Sequence, residues 1–217
     1  MTRKEIDLSK WRNYVSKESG ILFFAETSNQ ATLPVRNQID DEGNALDWEP
    51  DYETGTYGLR TCQSPKTINS IVKARHRYIL FATRYNGLDL EYKDKYLVYG
   101  YMRIDKTIDT RDRHMAAYLR NPDLPPPACL PLKESIALWA GEQKFCSLAD
   151  SFQLTDEVIA RWGYSKKLTR QMKLVVEGEG LQEILAHFAS KPDSTDEYIG
   201  TVQEFISALQ PEEDEEE

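Results

Sequence analysis

Hydrophobic positions recur along this chain with two different periods. Up to about residue 154 they come in short runs suited to strands, and beyond it they fall at helical spacing. The run Ile21-Leu22-Phe23-Phe24-Ala25 predicts a buried strand, as does Tyr78-Ile79-Leu80-Phe81-Ala82-Thr83, which ends at the turn dipeptide Asn86-Gly87. A longer strand is predicted over 96–104, where a period of two puts Val98, Gly100, Met102 and Ile104 on one face and Tyr99, Tyr101 and Arg103 on the other. Ser135–Gly141 reads as a further strand. Residues 147–154 then lead into the helical part.

In the last third, Thr155 caps a predicted helix carrying Val158, Ile159 and Trp162 and stopped by Gly163. Leu181, Ile184, Leu185 and Phe188 mark a second helix. Ser194 and Glu197 form a capping box ahead of Tyr198, Ile199, Val202, Phe205, Ile206 and Leu209, the clearest amphipathic stripe in the chain. At the other end, Ile6, Trp11, Tyr14 and Val15 predict a helix over 3–17, imperfect in spacing and ended by Gly20. Residues 26–58 read as a long loop, and Pro122–Pro127 as a stiff connector. The pattern gives an α+β chain, and no internal repeat is visible.

Charge changes this picture because it is unevenly placed. The 217 residues carry 27 Lys+Arg and 36 Asp+Glu, a formal net of −9. Six of the acids close the chain after Pro211, and residues 40–53 hold seven acids and no base. Residues 54–134 hold 14 basic residues against eight acids, a local +6. Binding answers to the local field, which decays over about 10 Å at 0.1 M salt, so the acidic total does not exclude an anionic partner. No run of roughly 18 apolar residues and no apolar stretch behind Met1 is present, so neither a membrane span nor a secretory signal is expected, and the expected location is cytoplasmic. Cys62, Cys129 and Cys146 are odd in number and scattered, and read as free thiols.

Little in the sequence supports catalysis. His76, His114 and His187 form no HxH or CxxC-type pattern with the cysteines. One metal constellation survives, Asp105, Asp109, Asp112 and His114, a donor set that a Mg²⁺- or Mn²⁺-dependent nuclease uses. Arg103, Lys106, Arg111 and Arg113 in the same window equally make an ordinary charged turn. No nucleophile elbow, phosphate loop or dinucleotide fingerprint occurs, and no cofactor is expected.

A binding site has more support. Tyr57-Gly58-Leu59-Arg60-Thr61-Cys62-Gln63-Ser64-Pro65 gathers an aromatic ring, a guanidinium, an amide and hydroxyls, the groups that stack a base and read its edge. Arg84-Tyr85 repeats the combination, Tyr101 and Arg103 offer it on a strand face, and Trp139 ends a predicted strand. The competing reading makes Tyr57 and Trp139 core aromatics and the arginines surface charges.

The order of these features resembles the PUA-like superfamily, nearest to its EVE-type and nucleotide-modification-associated domains. The likeness covers residues 20–155 and rests on Val98-Tyr99-Gly100-Tyr101, preceded by Thr61-Cys62-Gln63-Ser64-Pro65 and followed by Ser135–Gly141. It implies a mixed, mostly antiparallel β-barrel with flanking helices over residues 1–154. A helical subdomain over 155–210 and a disordered acidic tail over 211–217 would complete the chain. It also implies recognition of nucleic acid, often of a modified base flipped into a pocket, which costs a few kcal/mol of unstacking. The expected function is therefore a non-enzymatic module that reads a single-stranded or modified base, with Tyr57, Arg60, Gln63, Ser64, Arg84, Tyr85, Tyr101, Arg103 and Trp139 around it. The alternative is an acidic interaction or inhibitor protein that engages a basic partner through the tail and the 40–53 loop, and the third reading is the nuclease.

Overall fold

The computed structural model describes residues 6, 8–24, 50–58, 65–109, 136–165, 168–169 and 174–200. Its organising element is β5, Tyr96–Asp109, which at 14 residues extends about 46 Å. Along one edge β5 pairs antiparallel first with β4, His76–Arg84, and further on with β1, Arg12–Asn13. Along the other it pairs with β7, Phe152–Leu154, and then with β6, Ile136–Phe145. β3, Thr56–Tyr57, lies outside β6, while β2, Lys17–Phe24, runs parallel to β4, and β8, Leu174–Glu177, runs antiparallel to β2. Helix α1, Pro65–Ala74, leads through Arg75 into β4.

Both faces of this mixed sheet are covered. Ile79 and Phe81 of β4 point to one side, where Met102, Ile104, Leu138 and Phe145 meet Ile68 and Ile71 of α1. Leu80 and Ala82 point to the other, where Leu22, Val98 and Tyr101 meet Leu181, Ile184 and Phe188 of α3, Gly178–Ala189, and Ile159 of α2, Asp156–Arg161. Burial on two faces explains why β4 is a continuous apolar run rather than an alternating one.

The chain is thus α+β, as the pattern predicts, but the described strands follow an open path from β3 to β8 and do not close into a barrel. Several local expectations are corrected. Residues 8–17 are not helical: they form a turn, the short β1 and extended chain, because Trp11 docks on Ile108 and Ala137 and this tertiary contact outweighs a weak helical period. Gly20 ends nothing; it sits inside β2, where a Cβ would stand 3.1 Å from Leu80 Cδ1 and 3.2 Å from Leu181 Cδ1. Residues 152–154 form β7, and the last third contributes β8 as well as helices. Thr155 caps α2 as expected, its side chain accepting from Val158 N, and Gly163 follows with φ +88°. The final predicted helix begins within 195–200; its continuation lies outside the described residues, as do the Pro122–Pro127 connector and the acidic tail.

The two-face sorting of β5 is also corrected. Phe81 pairs with Gly100 and Ala82 with Val98, so Tyr99 is an extra residue in β5 and the alternation breaks there. Tyr99 therefore joins the Met102 and Ile104 face while Tyr101 joins Val98, and both rings are buried. An exposed aromatic face does not form.

Candidate nucleic-acid interface

Three of the nine candidate residues fall in 59–64, between the Tyr57-Gly58 corner and helix α1. Tyr57 is 1% exposed; its ring meets Phe23 edge-on at 6.2 Å and Phe81 at 5.8 Å. Gly58 follows with φ +89°, and a Cβ there would lie 2.3 Å from Ile68 Cδ1 and 3.0 Å from the Ile136 carbonyl, so only glycine fits. The chain re-enters at Pro65, the first residue of α1, whose first turn carries no acid. Arg60, Gln63 and Ser64, in the intervening 59–64, lie outside the described residues.

Tyr101 and Arg103 are brought together by a residue that the sequence reading did not single out. The Tyr101 hydroxyl donates to Glu142 Oε1 at 2.6 Å, and Arg103 Nη1 donates to Glu142 Oε2 at 2.6 Å. Arg103 also binds Asp105 through Nε and Nη2 at 3.3 and 3.1 Å. Burial, and next the bond to Glu142, raises the Tyr101 phenol well above its ordinary range; the bond to Asp105 does most to raise the Arg103 guanidinium. Nothing in Gly141-Glu142-Gln143 announces this role, which follows from the pairing of Glu142 with Arg103 across β5 and β6. The pairing is irregular there, and Gly141 leaves the space that Asp105 fills, since a Cβ would stand 1.9 Å from Asp105 Oδ2.

Arg84 and Tyr85 lie elsewhere. Arg84 pairs with Tyr96 at the start of β5 and binds Asp94 at 2.8 Å. Tyr85 is fully buried against Leu97 and Leu148, and the Asp89 N–H donates weakly to its hydroxyl at 3.4 Å. Trp139 pairs with Lys106, ten residues along β5 from Tyr96, so roughly 33 Å separates these positions and they cannot border one nucleotide. Trp139 packs beside Trp11, Ile108 and Ala137, whereas Tyr57 faces Leu138 and the main core; the two aromatics occupy opposite faces of the sheet.

The metal constellation fares similarly. Asp105 and Asp109 stand four residues apart on β5, about 13 Å, too far to share one ion, and Asp105 is held by Arg103. Asp112 and His114 lie outside the described residues, among which no group of three or more metal-ligating side chains occurs.

Pairing also reduces the charge available to a partner from 54–134. Arg77, Arg84 and Arg103 are in ion pairs with Glu18, Asp94 and Glu142; Lys106 donates to Asn13, and Lys95 lies over the Tyr92 ring at 5.2 Å. Lys73, Arg75 and Lys93 are exposed and take no ion pair among the described residues. No described helix is long and apolar enough to cross a membrane. Comparison of the chain with protein-family models, curated proteins and solved structures finds no match.

Proposed function

We propose that the chain binds nucleic acid or a modified nucleotide and that segment 59–64 reads the base, with Arg60, Gln63 and Ser64 as its hydrogen-bonding groups. The observation that carries this reading is the placement of the residues that flank that segment. Gly58 is locked between Ile68 and the Ile136 carbonyl at one end, and α1 begins at the other. Two flanks fixed in place limit how far the six residues between them can range, whatever shape those residues take, and so limit the entropy lost on binding. On this reading the described sheet is the larger part of a PUA-like barrel and the α1 end of the molecule faces the ligand. Arg84 and Tyr85 are structural, and Tyr101 and Arg103 hold Glu142 rather than a base.

The test is binding of modified and unmodified single-stranded oligonucleotides at 50 mM salt, by wild type and by Arg60→Gln. One probe should be preferred, and the substitution should weaken it by about tenfold or more, the worth of one good bidentate contact. A wild-type chain that binds none of them refutes the proposal.

A further inference from the structure

Among the described residues, all the exposed cations without an ion pair except Lys93 lie in two neighbouring groups. Lys10, Arg12 and Lys17 lie on one segment near the N-terminus, and Lys73 and Arg75 lie where α1 ends. Backbone and side-chain bonds bring the two groups together. Asn13 and Arg12 pair with Lys106 and Thr107 of β5, and the Tyr14 N–H donates to the Asp105 carbonyl at 2.8 Å. The Tyr14 hydroxyl then donates to the Ile71 carbonyl of α1 at 3.2 Å, and the Lys17 N–H to the Arg75 carbonyl at 2.7 Å. Residues 10–17 thus form a strap from β5 to the C-terminal end of α1, at most roughly 25 Å long. Two acids beside it, Glu18 and Asp105, are taken by Arg77 and Arg103; Glu177 sits beyond β2, opposite Ser19.

Arg75 adds an independent observation. It follows the last residue of α1 with φ +61°, a left-handed conformation in which glycine is usual and an L side chain is strained. An arginine stands there where glycine would carry no such strain, and backbone outliers of this kind cluster at functional sites.

We propose that the strap, with Lys73 and Arg75, holds the phosphate backbone of a bound nucleic-acid strand. This rests on the nucleic-acid reading and adds the path the backbone takes, from Lys73 and Arg75 inside the +6 segment to Lys10, Arg12 and Lys17 outside it. Val15, 70% exposed between Arg12 and Lys17, supplies an apolar contact for a sugar or base on the same path.

The experiment is the salt dependence of single-stranded oligonucleotide affinity between 50 and 200 mM, for wild type and for the triple variant Lys17→Gln, Lys73→Gln, Arg75→Gly. Three lost phosphate contacts should flatten the slope of log K against log salt by about 2. The thermal midpoint should not fall, because glycine accepts the left-handed conformation. Lys93→Gln, on the β4–β5 connection, should leave the slope unchanged. If the triple variant does not fold, Lys10→Gln with Arg12→Gln, both exposed, should flatten the slope by about 1.4. Wild-type binding with a slope that neither variant changes overturns the strap and leaves the base-reading loop standing. No wild-type binding at 50 mM overturns both.

Discussion

Two buried phenols of this protein should respond to the same substitution with opposite signs. Tyr52 is 1% exposed, its ring edge-on to Phe81, Phe145 and Tyr198 at 6.0, 5.8 and 5.1 Å. Its hydroxyl is buried with no hydrogen-bond partner among the described residues, lying against the backbone of Gly100, where a Cβ would come within 2.3 Å of it. A buried hydroxyl left unsatisfied costs about 1–3 kcal/mol. Tyr52→Phe removes that cost and keeps the ring, at the loss of a few dispersion contacts of about 0.1–0.2 kcal/mol each. The expected net is a gain of about 1 kcal/mol, or roughly 2–4 °C in thermal midpoint for a chain of this size. Tyr101→Phe deletes a hydroxyl that donates to Glu142 Oε1 at 2.6 Å and should lose about 1 kcal/mol, with the Glu142 carboxylate partly hydrated in compensation. Urea unfolding followed by fluorescence and by circular dichroism measures both, with coincident curves confirming two-state behaviour. A loss of more than about 0.5 kcal/mol for Tyr52→Phe would refute the reasoning, since it would mean that the hydroxyl is satisfied.

Two further substitutions probe other parts of the fold. Gly180 of α3 lies under Trp162, with ring atoms 2.8, 2.9 and 3.1 Å from the position of a Cβ, and Trp162 is itself held by a 2.8 Å bond to Glu183 and stacked on Phe152. Gly180→Ala should therefore destabilise by about 1–3 kcal/mol despite the better helix propensity of alanine, and Trp162→Leu should relieve the added loss in a double-mutant cycle; a stabilised single variant would sink this account. His76 is buried with Nδ1 2.9 Å from Ser19 Oγ, and burial, with Lys17 adding to it against Glu177, lowers its pKa. The unfolded chain then takes up the proton first, so wild type should lose stability as pH falls from about 6.5. His76→Gln should lack that part of the loss, and identical urea midpoints against pH for the two proteins would contradict it.

Much of the candidate site was legible only in part. The Tyr57-Gly58 corner is recognisable in the sequence as an aromatic beside a glycine, yet that Gly58 must be glycine follows from Ile68 and Ile136, far away in sequence. Arg84, Tyr85, Tyr101 and Arg103 have the composition of a nucleotide site, but the sheet register separates the first pair from Trp139 and binds the second pair to Glu142. Composition cannot report pairing, so the +6 segment overstated its free charge, and Lys10, Arg12 and Lys17 passed unnoticed within a stretch read as a helix.

What the sequence by itself determined is what local physics decides. The apolar runs of β2, β4 and β5, the Thr155 cap of α2 and the spacing of α3 each depend on residues within a few positions of one another. Tertiary structure alone decided which face each tyrosine of β5 takes, because one extra residue in the ladder reverses the alternation. It also made residues 10–17 a strap and set β8 at the sheet edge, since those segments draw their order from hydrogen bonds and packing to partners distant in sequence.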